Sequence, residues 1–358
     1  MVWFCRIPSP IIQNPDSNVS LGAARLTYMV SPLEAIKFRA AQDGALVQYI
    51  TNNAVAAASI ASIHPLPEVC LVFLKTFVSE GRDRTSYDVD ANGTAVVETV
   101  AATCNNTIVI THSGGINTMA WADNENVTAI IAAHFPGQEI GNSIVDVLYG
   151  VVNPSGHLPY TIAHKGSDYN TAISNFTGTT NPNGWQTNFT EGLLIDYRYF
   201  DHAKITPRYE FGFGLSYTTF SLSNLSIIAP STDISSLPAP VSGPNPPGGN
   251  PALYSALVVV TASIINTGTV GGAAVPQLYV APPQAAVPSG TPPQALHGFD
   301  KIFLAPNETA EVKFELTRRD VSFWDVGAQQ WRIPAGVFGI RLGFSSRDHL
   351  LTGTVMLL

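Results

Sequence analysis

The feature that most limits what this chain can fold into is a continuous apolar run, Val69-Cys-Leu-Val-Phe-Leu74. A strand with no alternation of apolar and polar positions is buried on both faces, the situation of a parallel sheet covered by helices. Pro67 bounds the run on one side. On the other stands Val78-Ser79-Glu80-Gly81-Arg82-Asp83-Arg84, which places one carboxylate on a glycine-flexed loop. Ligands of open parallel sheets settle in the crevice beyond the carboxyl ends of the strands, so Glu80 is the candidate catalytic group. Position alone still favours a solvated loop acid, since most loop carboxylates do nothing specific.

Polar groups recur at the ends of two further apolar runs. Thr107–Thr111 leads into His112-Ser113-Gly114-Gly115, and Val127–Ala132 leads to His134. Each histidine reads as a structural group at the edge of a core. A serine hydrolase at Ser113 is set aside, because Gly-x-Ser-x-Gly occurs nowhere and an adjacent histidine is badly placed to act as its base.

Around these runs the first half alternates between helix and strand. Ser31-Pro32-Leu33-Glu34 is a helix start, with serine as N-cap, proline at the first helical position and an acid at the third, and the helix should run to about Gln42. A strand is expected at Ala45–Ile50, an Ala-rich helix near Ala54–Ile63, and a helix at Thr94–Thr103 with Val96, Val97 and Val100 on one face. A short helix near Asn117–Ala122 and a helix at Gln138–Tyr149 closed by Gly150 complete the pattern. Such alternation implies an α/β fold, a mostly parallel sheet with helices on both sides. Asn153–Tyr217 reads as long surface loops.

Composition changes after that. Ala229–Asn250 clusters proline with serine and glycine, and is expected to be an exposed, poorly ordered insertion. Phe220–Ile228, Leu257–Ile265, Val275–Val280, Ala310–Leu316 and Phe338–Phe344 are alternating segments separated by turn signals, which indicates a β-sandwich.

With 45% hydrophobic and 12% charged residues the chain is globular, and at 358 residues it can hold two or three domains. A net charge of −8 with no basic run argues against nucleic acid or an anionic membrane as partner. Cys5, Cys70 and Cys104 show no metal-ligand spacing, and Cys70, inside the buried run, reads as an inert apolar thiol. The histidines form no His-Glu-x-x-His, so neither a catalytic metal nor another cofactor is expected. Glycosylation sequons stand at Asn18, Asn92, Asn105, Asn126, Asn175, Asn188, Asn224 and Asn307. Their density suggests a secretory route, yet Met1-Val-Trp-Phe-Cys-Arg-Ile-Pro lacks the parts of a signal peptide. The two agree if the natural amino terminus lies upstream.

Several motifs carry a likeness that spacing does not supply. They are Phe73-Leu-Lys-Thr-Phe-Val-Ser-Glu-Gly-Arg-Asp-Arg84, His134-Phe-Pro-Gly-Gln-Glu139, Asn153-Pro-Ser-Gly-His-Leu-Pro-Tyr160, Pro207-Arg-Tyr-Glu-Phe-Gly-Phe-Gly-Leu-Ser-Tyr217, Val275-Pro-Gln-Leu-Tyr279, Leu316-Thr-Arg-Arg-Asp320 and Ser322-Phe-Trp-Asp325. Through them the chain resembles the carboxy-terminal half of fungal family 3 β-glucosidases, from about Asn14 to its end. Members of that family resemble one another in having a (β/α)8 barrel, an α/β sandwich and a fibronectin type III-like domain. By resemblance, residues 1–206 are the α/β sandwich, incomplete at its start because Met1–Ile12 does not look like the family's opening strand. Residues 207–358 are then the fibronectin type III-like domain, with its Pro-rich insertion at about 229–251.

The resemblance also assigns chemistry. It makes Glu80 the general acid/base, while the nucleophile is an aspartate of an Asp-Trp pair that the family's barrel supplies and this chain lacks. Two carboxylates are needed because one forms a glycosyl-enzyme while the other protonates the leaving oxygen and later activates water; in retaining enzymes they stand ~5–5.5 Å apart. Arg82 occupies a position that is often aromatic in relatives, and is a candidate for binding the leaving group. The implied substrate is a β-glucoside or oligosaccharide in the complete enzyme, with the missing barrel packing on the α/β domain. The chain by itself is expected to be poorly soluble and to have little hydrolase activity. β-Xylosidase activity is an alternative, since the absent barrel decides the sugar. A noncatalytic carbohydrate-binding or scaffold product is another, with Trp185, Tyr197, Tyr199 and Trp324 as stacking groups, although core or loop packing suits those aromatics better.

Overall fold

The computed structural model describes residues 27–54, 60, 63–78, 84–173, 188–229, 234–244 and 246–358. They fold as two compact units, the first made of residues up to Val152 and from Ile162 to Asn188, the second of Asn153–Thr161 and Phe189–Leu358.

The first unit is built on three parallel strands in the order β1 (Cys70–Thr76), β2 (Thr107–Ser113), β3 (Val127–Ala132). Residues Cys70 to Leu74 are all buried, as an unalternated apolar run requires. Leu71 and Phe73 point to one face with Ile110, where they meet Ala35 and Ile36 of α1 (Pro32–Gln42) and Ile144 and Val145 of α3 (Ile140–Leu148). The α2 helix (Gly93–Ala101) packs on β1 and β2 and buries Val96, Val97 and Val100, as their spacing predicted. Ser31 caps α1 by accepting a hydrogen bond at Oγ from the Glu34 amide, 3.3 Å. The two helices on the shared face approach closely at Gly141, where a Cβ would fall on the carbonyls of Val30 and Ser31.

Two expectations need correction and a third lies largely beyond description. Ala45–Ile50 is not a strand; only Val47 makes a bridge, no described strand flanks the segment, and Leu46 and Tyr49 are exposed. The expected helix at Ala54–Ile63 falls mostly outside the described residues. Cys70 is not a free thiol but is disulfide-bonded to Cys104. The reason is register: Cys70 opens β1 opposite Thr107 of β2, and Cys104 lies in the turn just before Thr107, which brings the two Cα atoms to 6.3 Å.

The second unit is a β-sandwich. One sheet runs β10 (Thr309–Thr317), β5 (Ala256–Asn266), β4 (Phe220–Ile228), the other β14 (His349–Leu357), β13 (Gly336–Gly343), β7 (Gln277–Ala281), β8 (Ala295–Phe299), all antiparallel. The short pairs β6 (Gly272–Ala274) with β9 (Ile302–Leu304) and β11 (Phe323–Asp325) with β12 (Gln330–Arg332) complete it. Alternate residues of β5, Val258 to Ile264, meet Leu278, Val280, Phe338, Ile340 and Leu342 in one core.

Asn153–Tyr217 is more ordered than surface loops. Leu158 and the 212–213 backbone exchange two hydrogen bonds of 2.8 Å, and Asn153 Oδ1 accepts from Ser216 Oγ and the Tyr217 amide, each at 2.8 Å. A short helix, α4 (Tyr197–Ala203), buries Tyr197 and Phe200; its N-cap Asp196 takes the Thr161 amide and hydroxyl as well as the Tyr197 amide. These links place 153–161 and 189–206 with the sandwich. The Pro-rich segment is also held where it is described: Ile234 packs against the core, Ser235 accepts from Arg318 Nη1 and Ser236 from the Ile333 amide, both at 2.9 Å. Backbone carbonyls, which proline keeps, do this docking.

The disulfide closes a loop of 34 residues. Replacing both Cys70 and Cys104 by alanine is expected to lower stability by about 3–4 kcal/mol, read as a shift in the urea midpoint.

Candidate active site

The site begins where the parallel strands end. Ser79, Glu80, Gly81, Arg82 and Asp83 lie outside the described residues, so both candidate side chains, Glu80 and Arg82, are known here through the groups that hold the segment's two ends.

The first end is fixed at β1. Thr76 is buried and its hydroxyl donates to Asn117 Oδ1, 2.9 Å; the Phe77 amide donates to Asp90 Oδ2, 2.6 Å, and the Asp90 amide returns to the Lys75 carbonyl, 3.0 Å. The other end is Arg84. Its Nη1 donates to the Ile116 carbonyl, 2.6 Å, and its Nη2 to Asn117 Oδ1, 3.0 Å, and to the Asp88 carbonyl, 3.3 Å. The same carboxamide oxygen of Asn117 therefore receives a hydrogen bond from each end. Asn117 is buried, and a buried carboxamide with both lone pairs used is a rigid fixture. Burial lowers the pKa of the Arg84 guanidinium, with Asp90 opposing, and the group stays a cation.

Lys75, Phe77, Arg84, Thr85, Ser86, Asp88, Asp90 and Ala91 line a cavity of about 460 Å³ between these anchors. That volume is in the range of small-ligand sites. Asp88 is set by a turn in which its amide donates to Ser86 Oγ, 3.0 Å. Below it Tyr87 stacks on Tyr169 with ring centroids 5.0 Å apart, and burial raises the Tyr87 hydroxyl above its ordinary range.

The other strand ends do not converge as catalytic groups. Ser113 Oγ donates to the Gly115 carbonyl, 2.7 Å, within its own turn. Gly114 is a glycine by necessity, since a Cβ would enter the side chains of Val78 and Phe135. His134 takes a left-handed backbone, φ 50°, with Nδ1 3.4 Å from the Ser113 carbonyl. His112 is buried, its ring parallel to that of Phe73 with centroids 6.1 Å apart, and neither ring nitrogen has a hydrogen-bond partner among the described residues. Burial pushes its pKa down to about 4. It is a core group, as the sequence suggested. Asn117, Asp88 and Asp90 went unrecognised in sequence, because short polar residues in loops carry no periodic signal; only the Gly-Gly-Ile-Asn following β2 hinted at Asn117.

Residues 13–217 match the family model described as the glycosyl hydrolase family 3 C-terminal domain, and residues 274–346 match the fibronectin type III-like domain. The chain belongs to glycosyl hydrolase family 3. Probable beta-glucosidase G of Aspergillus flavus is 56% identical over 330 residues, covering 91% of this chain and 40% of the relative. Probable beta-glucosidase M of Aspergillus niger is 46% identical over 350 residues, covering 96% and 44%. Among solved structures, the beta-D-glucoside glucohydrolase of Trichoderma reesei is 40% identical with a TM-score of 0.81, covering 92% of this chain and 45% of that one. Beta-glucosidase D2-BGL of Chaetomella raphigera is 38% identical with a TM-score of 0.85, covering 99% and 50%. The chain thus spans about two-fifths of the length of these curated relatives. The parallel sheet lies within the residues that the first model matches, and the residues that the second matches lie in the β-sandwich.

His112 supplies a pH test. Its folded pKa lies below the unfolded value of about 6.5, so the unfolded chain binds the proton first and stability falls as pH falls from about 6.5 towards 4. The share due to His112 is expected to reach about 3 kcal/mol. His112→Phe should lose less stability than the parent between pH 7 and pH 4.5, measured by urea midpoints.

Proposed function

We propose that this chain is the carboxy-terminal part of a retaining β-D-glucosidase that removes terminal non-reducing glucosyl residues, with Glu80 as general acid/base. The observation that carries the reading is the likeness, 56% identical over 91% of the chain, to proteins described as probable β-glucosidases. It is joined by the place of Ser79-Glu80-Gly81 in the sequence, after a buried parallel strand and between Thr76 and Arg84, whose side chains both donate to Asn117 Oδ1.

In the proposed reaction the Glu80 carboxyl protonates the glycosidic oxygen as an aspartate from the family's barrel domain attacks the anomeric carbon. The leaving alcohol departs, and Glu80, now a carboxylate, takes a proton from the water that releases glucose. Arg82, two residues beyond, would donate hydrogen bonds to hydroxyls of the leaving group. Cello-oligosaccharides and aryl glucosides are the substrates that the likeness to probable β-glucosidases suggests.

In the full-length protein, Glu80→Gln is expected to lower kcat on an alkyl or cellobiosyl β-glucoside by about 10²–10⁴-fold. The loss should be smaller on a nitrophenyl glucoside, whose leaving group needs little protonation. Unchanged turnover of cellobiose would remove Glu80 from the role. The 358-residue chain alone is expected to give no turnover of either substrate.

We also propose a secreted, glycosylated protein. The Cys70–Cys104 disulfide supports it, since such bonds persist in oxidising compartments. Of the sequon asparagines, Asn92, Asn105, Asn188, Asn224 and Asn307 are exposed, while Asn126 is half-buried and its Nδ2 donates to the Ala101 carbonyl, 2.9 Å. Asn18 and Asn175 lie outside the described residues. Peptide mass mapping after enzymatic deglycosylation of protein from a fungal host should find glycans at exposed positions and an unmodified Asn126.

A further inference from the structure

The second unit contains an open cavity of about 410 Å³ lined by Asp201, Lys204, Pro293, Gln294, Arg341, Ser346, Arg347 and His349. It is built on a fixed floor. Gln294 is buried and donates through Nε2 to Asp201 Oδ2, 2.9 Å, and to the Ser346 carbonyl, 2.8 Å; its Oε1 accepts from Arg341 Nη1, 2.7 Å. Arg347 is spent on structure, since its Nη2 meets Asp201 Oδ1 at 3.1 Å and the Ile205 carbonyl at 2.8 Å. Asp201 is therefore the only carboxylate in the lining, and a cation already answers it.

Two cations remain. Neither Arg341 nor Lys204 has an acidic side chain within ion-pair distance among the described residues. Arg341 uses one guanidinium nitrogen on Gln294, which holds the planar fork in one orientation and leaves its other donors unspent. Burial, with Arg341 beside it, holds the His349 imidazole below its ordinary range, so at neutral pH it brings no charge. Two cations that no carboxylate answers, one with its guanidinium oriented by a buried carboxamide, describe a site suited to an acceptor-rich ligand.

We propose that this cavity binds a small anion, its carboxylate or phosphate group held by the Arg341 fork with Lys204 as the second charge. Oxyanions suit a planar guanidinium because two parallel donors match two oxygens. The volume admits more than a bare inorganic ion, so a sugar acid and free phosphate share the chemistry and differ in size.

The test is isothermal titration of the full chain in phosphate-free buffer at neutral pH with sodium phosphate, sodium glucuronate and glucose. Saturable binding of phosphate or glucuronate, with none of glucose, is expected; preference between the two anions tells which source the cavity fits. Arg341→Gln should weaken anion binding by at least about tenfold, as loss of a charge-assisted hydrogen bond does. Lys204→Gln alters an exposed side chain at the end of α4 that the fold does not use, and should weaken binding several-fold without changing the melting temperature. Should Arg341→Gln fail to fold, that second variant decides alone. Absence of saturable anion binding, equal binding of glucose, or anion binding unaffected by Lys204→Gln with Arg341→Gln also inert or unfolded would overturn the proposal. None of these readouts depends on Glu80, so failure here and failure of the glycosidase reading are separable.

Discussion

The constraint on which the first unit rests is the burial of β1 from both sides. Cys70 to Leu74 cannot offer a polar side chain to either face, so any chemistry tied to this strand must wait for its end. That end is where the chain changes character: Thr76 turns its hydroxyl to Asn117, Phe77 its amide to Asp90, and further along Arg84 returns to the same Asn117. Apolar burial decides where the loop can be, and a few directional hydrogen bonds decide how its ends are held. The division of labour is the usual one of an α/β protein, with a rigid scaffold and a functional rim.

The sandwich follows a different logic. Strands such as β5 and β10 alternate, lending one face to the core and keeping the other in water, with Val258, Val260, Ala262 and Ile264 the clearest case, while β7 is buried on both faces. Polar structure there is concentrated at the ends of strands and in the segments that return to them. Gln277 illustrates it: buried at the start of β7, it gives Nε2 to the carbonyls of Gly212 and Phe344 and accepts the Tyr279 hydroxyl at 2.7 Å. A single carboxamide thus ties three stretches far apart in sequence, and the Pro207–Tyr217 motif is held by it from one side and by Asn153 from the other.

Much of this was legible in sequence because it rests on periodicity. The unalternated run of β1, the valine spacing of α2, the Ser-Pro-x-Glu start of α1 and the alternation of β5 and β13 each depend on one local rule, and each stands where the rule put it. What was not legible depends on contacts between distant residues. The seven residues of α4 are too few to show a helical period, and two of them are buried aromatics that read as loop. The disulfide follows from strand register, which no spacing of cysteines reveals. For the candidate site, position alone left Glu80 a solvated loop acid, and only the family motif around it singled it out; it lies outside the described residues. Asn117 was not recognisable, since its importance lies in receiving bonds from Thr76 and Arg84, 41 and 33 residues before it in the chain.

The disulfide and the candidate loop stand at opposite ends of the same strand. Cys70 is bonded covalently at the start of β1, whereas past Thr76 the chain is held by hydrogen bonds alone. Local opening of the backbone should therefore be graded along seven residues, hardest at the cystine and easiest at the rim. In hydrogen exchange the amides near Cys70 would report the global stability of the sheet, while those of Phe77 and its neighbours would exchange through small openings of the Asn117 and Asp90 contacts. The two ends of one strand thus differ in what it takes to open them, a covalent bond at Cys70 and a pair of hydrogen bonds at Thr76 and Phe77.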